Sequence, residues 1–526
     1  MKTFLGIELG STRVKAVLID ACGSPLATGG FDWENRYENG VWTYRLQDVR
    51  HALAESFLDL CTDYQNKTGN KHPEISCIGI SAMMHGYIAL DKDNNQLADF
   101  RTWRNTITEK EVEILSEEFD FNIPQRWTIA HLYRALRQRE PHVNDIAGLN
   151  TLASYVHCML TGEKVVGIGD ASGMFPIDST INDYDQEMVE KFDKLALEYG
   201  VPWKLIDILP KVLNAGENAG YLTEEGAKIL APAGGLPAGI PFCPAEGDAG
   251  TGMVATNSVT PHTGNVSAGT SIFAMLTLKH SLSKAYPEID MITTPNGKPV
   301  AMAHCNNCTS DLDAWISLFS QVLEKMDVPA DKTKLYLNLY NAALMGDADC
   351  GGLVSINYLS GEHTSGFHEG RPLFARTPDS RFSIENFIRS LLFSSIATLR
   401  IGMDILTGKE NVTLSKIHGH GGLFKTPIVG QKIMAGVLNI PVAVMESAGE
   451  GGAWGIALLA AYAGSKEDGQ SLEDFLENRI FSNAKVTVID PDPGDIEGFS
   501  VYFERYKAAL QVERTAVDVL NNVNDK

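Results

Sequence analysis

Three short stretches carry residue types that could handle a phosphate. The first is Gly10-Ser11-Thr12, which separates two apolar, β-branched runs at 3–9 and 14–19 and follows an acid, Glu8, by two residues. A glycine admits close backbone approach, and successive N–H groups in such a bend can hold an anion. A carboxylate beside it suits a metal–nucleotide pair, although taken alone the stretch is equally an ordinary hairpin. The second, Gly269-Thr270-Ser271, repeats the idea half a chain later, again between strand-like runs, in Gly264-Asn-Val-Ser-Ala-Gly-Thr-Ser271. The third is Asp248, in Ala245-Glu-Gly-Asp248, where a strand-like run meets small residues that open a helix. A carboxylate there can take a proton from a ligand in a cleft or cap the helix; the local pattern leaves both open.

Two further stretches suit a polyol. Met84-His85-Gly86 ends the buried-strand pattern of residues 75–81, and in parallel sheets ligands gather at such strand ends. A turn histidine satisfied by nearby backbone is the plainer reading of His85. Arg101-Thr-Trp103-Arg-Asn105 offers an aromatic face for sugar carbons beside groups that bond hydroxyls.

These residues need a frame of alternating strands and helices. Helical spacing predicts helices over 46–64, 108–119, 131–139, 150–160, 383–406, 427–438, 453–463 and 498–520, and one within 304–326. Strands are expected over 442–445 and 485–489 besides those above, while 168–173 and the Pro- and Gly-rich 231–241 read as loops. The alternation argues for α/β architecture with a largely parallel sheet. A chain of 526 residues exceeds the roughly 250–300 that one core serves, so two large domains are expected, at 1–256 and 257–526.

With 44% hydrophobic and 21% charged residues the composition is that of a globular chain. No apolar run reaches the ~18–20 residues of a membrane span. The net charge of −22 disfavours nucleic acid and anionic membranes as partners. It leaves room for a phosphate-bearing small ligand, because backbone N–H groups need no basic surface. The first residues enter a strand without a leader pattern, and the eight scattered cysteines read as reduced core residues; together these set a cytoplasmic expectation. Cys305-Asn-Asn-Cys308 is the exception to weigh, but a structural zinc site would need a second ligand pair, and no second CxxC exists. His418 and His420 lack an acid or cysteine ligand nearby. There is no GxxxxGK[ST], and the spacing of Gly449, Gly451 and Gly455 misses GxGxxG.

Taken in order, these stretches resemble the FGGY family of carbohydrate kinases, nearest its xylulokinase branch, over almost the whole chain. Gly6-Ile-Glu-Leu-Gly-Ser-Thr-Arg-Val-Lys15 resembles the first phosphate motif, Met84-His85-Gly86 the sugar-contacting segment, and Ala245-Glu-Gly-Asp248 the catalytic-base motif. Ser267-Ala-Gly-Thr-Ser271 resembles the second phosphate motif; Gly419-His-Gly-Gly422 with Glu450-Gly-Gly-Ala-Trp-Gly455 is similar to the adenosine motif. The resemblance implies two ribonuclease-H-like domains of the actin-like ATPase type, with ATP, Mg²⁺ and a sugar in the cleft between them. Asp248 is then the base and a substrate contact with Met84, His85 and Trp103. Gly10, Ser11, Thr12, Lys15, Gly269, Thr270, Gly421 and Gly422 hold ATP, and Glu8 with Asp248 holds the metal. Partners are ATP and a small sugar, with a homodimer as an open alternative to a monomer.

The chain departs from the family in three places. Glu8 stands where the family has Asp, His131 and Arg134 where Lys and Trp are common, and the chain is shortened between Cys305 and Asp311. The expected activity is a pentulokinase acting on D-xylulose, with L-ribulose next. The alternatives are another sugar or polyol kinase of the family, a non-catalytic sugar- or nucleotide-sensing protein on the same scaffold, and a redox or zinc protein built on Cys305 and Cys308.

Overall fold

The computed structural model describes residues 2–445 and 451–520. Two sheets organise it, and they repeat one plan. In the first, Pro25–Asp32, Arg13–Asp20 and Thr3–Leu9 run antiparallel, and Cys77–Ala82 and then Glu246–Gly247 add in parallel beside Thr3–Leu9. In the second, Pro299–Cys305, Ile272–Thr277, Thr263–Ala268, Lys416–His420 and Val442–Met445 follow in the same order and the same directions. Ile289–Thr293 and Val486–Ile489 extend its two edges. This duplicated α/β plan is the actin-like ATPase fold expected from the paired bends.

Strand alternation decides which layer each side chain joins. Along Thr3–Leu9, Leu5, Ile7 and Leu9 pack with the helix Leu46–Thr68, while Phe4 packs with the helix Gly451–Ser465. That second helix belongs in sequence to the second half but lies against the first sheet. Gly6 makes the approach feasible: a Cβ there would stand 2.2 Å from the carbonyl oxygen of Ala453. The first-half helix Asp248–Ala255 packs against the same helix, so the fifth strand of each sheet ends in a helix at the seam between the halves.

The core of the second half centres on Ile384–Asp404, which continues as a π turn through Lys409. It is the one described helix long and apolar enough to cross a membrane, yet 72% of its apolar window is buried in protein. Most expected helices appear within a few residues of their anticipated bounds. Among the described helices of ten residues or more, Gln186–Leu197 and Lys332–Ala343 were not anticipated. The stretch at 168–173 is not all loop: a short strand, Val165–Gly167, leads into one helical turn, Ile168–Ala171.

Candidate active site

Asp248 is the first residue of its helix, not its cap; Gly247 takes the capping place. Asp248 is exposed to solvent, and its Oδ1 accepts the backbone N–H of Met84 at 3.1 Å. Desolvation raises its pKa; that Met84 N–H and the guanidinium of Arg126 pull it back down without cancelling the rise. Two residues earlier Glu246 points the other way, into the core, where it accepts the N–H groups of Gly169 and Asp170 at 3.2 and 2.9 Å. Asp170 in turn accepts the Thr151 hydroxyl at 2.5 Å, and burial lifts its pKa to about 7. Glu246 and Asp170 therefore anchor the turn from which Asp248 projects.

Glu8 ends the first strand on the face that meets the helix Gly451–Ser465, and its Oε2 accepts the N–H of Ala453 at 3.1 Å. Gly452 leaves room for that carboxylate: a Cβ would fall 2.4 Å from Glu8 Oε1 and displace it. Burial raises the Glu8 pKa first, and the charge of Asp248 raises it further; Lys15, its cross-strand partner, opposes both. The charge of Asp248 is thus felt at Glu8. Lys15 is exposed, with its Nζ close to Gly451.

Gly10, Ser11 and Thr12 form the first bend, and Gly269, Thr270 and Ser271 the second. Trp103, half-exposed, donates its indole N–H to Ser11 Oγ at 3.3 Å, so it lies at the first bend. Gly421 has φ of +98° and packs so tightly on the second bend that a Cβ would meet the Ala268 carbonyl at 2.5 Å. Gly422 opens the turn Gly422–Phe424 beside it. Of the expected adenosine segment, Gly449 and Glu450 lie outside the described residues.

His85 is buried with φ of +72°, and its Nδ1 is 3.3 Å from the Gly173 carbonyl, the backbone partner of a turn histidine. Its ring lies over Trp127 at 6.4 Å, and burial holds it neutral. The residue that sequence reasoning missed is Arg126. Its carbonyl accepts the Gly86 N–H at 3.1 Å, and its guanidinium forms an ion pair with Asp290, on an edge strand of the other sheet. Asn122 donates to the same carboxylate at 3.0 Å. The Arg126 charge lowers the pKa of Asp248, His85, His304 and His363 alike. The signal available in sequence was its position just ahead of the 128–134 segment. Within that segment His131 is buried in the core with its pKa down to about 3, and Arg134 borders a surface pocket with Lys110.

Among the described residues no three His, Cys, Asp or Glu side chains are grouped to hold a metal. Cys305 and Cys308 are free and buried, with their thiols pushed up by burial. Both ring nitrogens of His418 are buried without a partner, as is Nε2 of His420.

Comparison with known proteins follows the same division. The model of the FGGY family of carbohydrate kinases, N-terminal domain, matches residues 3–255, and that of the C-terminal domain matches 264–464. A xylulose kinase of Haemophilus influenzae is 23% identical over 520 residues, covering 96% of this chain and 99% of the relative. The fold is that of a ligand-bound xylulose kinase from Lactobacillus acidophilus, with a TM-score of 0.79 and 17% identity over 99% of each chain. It is equally that of a gluconate kinase from the same organism, with a TM-score of 0.79 and 18% identity over 99% of each chain.

Proposed function

The chain belongs to the FGGY family of carbohydrate kinases, and we propose that it moves the γ-phosphate of MgATP to a hydroxyl of a ketopentose, D-xylulose first and L-ribulose second. The observation that carries the reading is Asp248: a solvent-exposed carboxylate with raised pKa, held by Met84 N–H beside His85. Met84, His85, Trp103 and Arg126 are the sugar-side residues we propose, and the two lobes are assigned to 1–256 and 257–526. Similarity to a xylulose kinase over nearly the full chain favours the pentulose, while the equally similar gluconate kinase fold keeps sugar acids among the substrates to test.

In this reading Asp248 accepts the proton of the attacking hydroxyl as the new P–O bond forms. Gly10, Ser11, Thr12, Gly269 and Thr270 hold the phosphates through backbone N–H groups and hydroxyls, with Lys15 nearby. Gly421 and Gly422 frame the adenosine. Glu8 and Asp248, oxygen donors whose like charges act on each other, suit a Mg²⁺ ion, which when bound would neutralise phosphate charge. Ordering both halves around the ligands would exclude water.

The test is ADP release with MgATP and, separately, D-xylulose, L-ribulose, D-ribulose, L-xylulose, D-fructose, gluconate and glycerol. Turnover with a pentulose is expected. Activity confined to gluconate or glycerol overturns the pentulose and spares the family; MgATP and sugar binding without any ADP formed means a sensing protein.

A further inference from the structure

We infer that both phosphate bends are aimed from behind, by hydrogen-bond donors that grip their carbonyls, and that Tyr44, Trp33 and Thr309 are positioning residues for nucleotide phosphates. The inference rests on the kinase reading above and goes beyond it by giving roles to residues that touch no ligand.

A trans peptide unit is planar, so each carbonyl points opposite to the N–H of the next residue. Holding a carbonyl therefore turns the following N–H to the far side. In the first bend the Trp33 indole N–H donates to Gly10 O at 2.7 Å and the Tyr44 hydroxyl to Ser11 O at 2.6 Å. The Trp33 backbone N–H takes Thr12 O at 3.1 Å. The two rings stack with centroids 4.4 Å apart and are buried, so these donors have one available direction. The N–H groups of Ser11 and Thr12 then face away from them and have no partner among the described residues.

The second bend repeats the device with different parts. Thr309 donates both its N–H and its hydroxyl to Gly269 O at 3.0 Å, and Cys308 donates its N–H to Thr270 O at 3.0 Å. The N–H groups of Thr270 and Ser271 are correspondingly turned away and unpartnered among the described residues. Two adjacent free N–H groups on one side of a bend are an anion cradle. The donor loop is itself fixed: Asn307 Oδ1 accepts the N–H groups of Leu359 and Ser360 at 3.0 Å. Glu362 Oε2 accepts those of Asn306 and Asn307 at 2.9 and 3.2 Å, and Asn357 donates to Cys308 O at 2.8 Å. Cys305-Asn-Asn-Cys308 is thus a rigid brace for the second bend, which accounts for the motif without zinc or redox chemistry.

The experiment is isothermal titration of the full chain with MgADP and, separately, with adenosine, which lacks phosphates. Tyr44→Phe and Thr309→Val keep side-chain shape and remove the hydroxyl's bond to the bend, Thr309→Val together with a 3.4 Å bond to Asp313; they lie in different halves, so either suffices if the other misfolds. Each is expected to weaken MgADP about fivefold, the worth of one ordinary hydrogen bond, and to leave adenosine unchanged. Thr309→Ser is expected to restore MgADP affinity. MgADP affinity within twofold of wild type in both variants, or equal loss for MgADP and adenosine, overturns the inference. A wild-type chain that takes up no MgADP overturns the kinase reading and this one with it.

Discussion

The carboxylate of Glu8 and the backbone N–H of Ala453, 445 residues apart in the chain, meet at 3.1 Å. The first strand of one half thus satisfies an orphan donor at the start of a helix contributed by the other, where a negative charge is also favoured by the helix dipole. The Glu8 side chain spans the gap between them.

Shortening it should break that bond. Glu8→Asp is expected to lower stability by about 1 kcal/mol, the usual cost of losing a helix cap, read as a shifted urea midpoint. Glu8→Gln keeps an acceptor for Ala453 and should unfold at the wild-type midpoint while losing turnover. A Gln variant with full activity would remove Glu8 from the metal role.

Asp248→Asn should fold and bind MgADP as the wild type does, with sugar-dependent ADP release reduced by about 10²–10⁴. Near-normal turnover would exclude Asp248 as the base.

Arg126 holds the pKa of Asp248 down against the burial that raises it. The base works deprotonated, so the acid limb of kcat/KM should lie above the usual carboxylate range. Arg126→Met should move that limb to still higher pH and raise the sugar KM, since it removes the cation that also bridges to Asp290. An unmoved limb would place Arg126 outside the base's field.

Glu513, in the terminal helix, accepts the Arg371 N–H at 2.6 Å through Oε1, while Oε2 is buried without a partner. Burial raises its pKa to about 7 from an ordinary value of 4.5. Between those values the folded chain binds more protons than the unfolded one, so the group's contribution to stability falls as pH rises. Glu513→Gln should therefore raise the melting temperature at pH 8 and leave it unchanged near pH 4. A gain that does not depend on pH would contradict the assignment.

Gly421→Ala should weaken ATP binding or destabilise the second half, because φ of +98° disfavours any Cβ and this one would meet the Ala268 carbonyl. An alanine variant with wild-type MgADP affinity and melting temperature would show that the contact relaxes.

The bends at Gly10 and Gly269, the acid at 248 and most of the long helices were legible in the residues themselves. Glycine, hydroxyl and strand periodicity act locally, over one turn or one hairpin. Their repetition half a chain apart was enough to expect a duplicated fold. Of the two unread helices, Gln186–Leu197 buries a regular stripe of Val189, Phe192 and Ala196 that was there to be read, whereas Lys332–Ala343 buries only Tyr340 and Ala343 and offers a weaker period. Arg126 with Asp290, Glu8 with Ala453, and Tyr44 or Thr309 with the bends were not legible, nor was the burial of His131. Each joins residues remote in sequence, and a side chain's partner across such a distance depends on which sheet edges and helix ends the packing of two cores brings together. Residue types along the chain determined that phosphate chemistry could be done; which groups aim it was decided by the way two sheets and one shared helix close on each other.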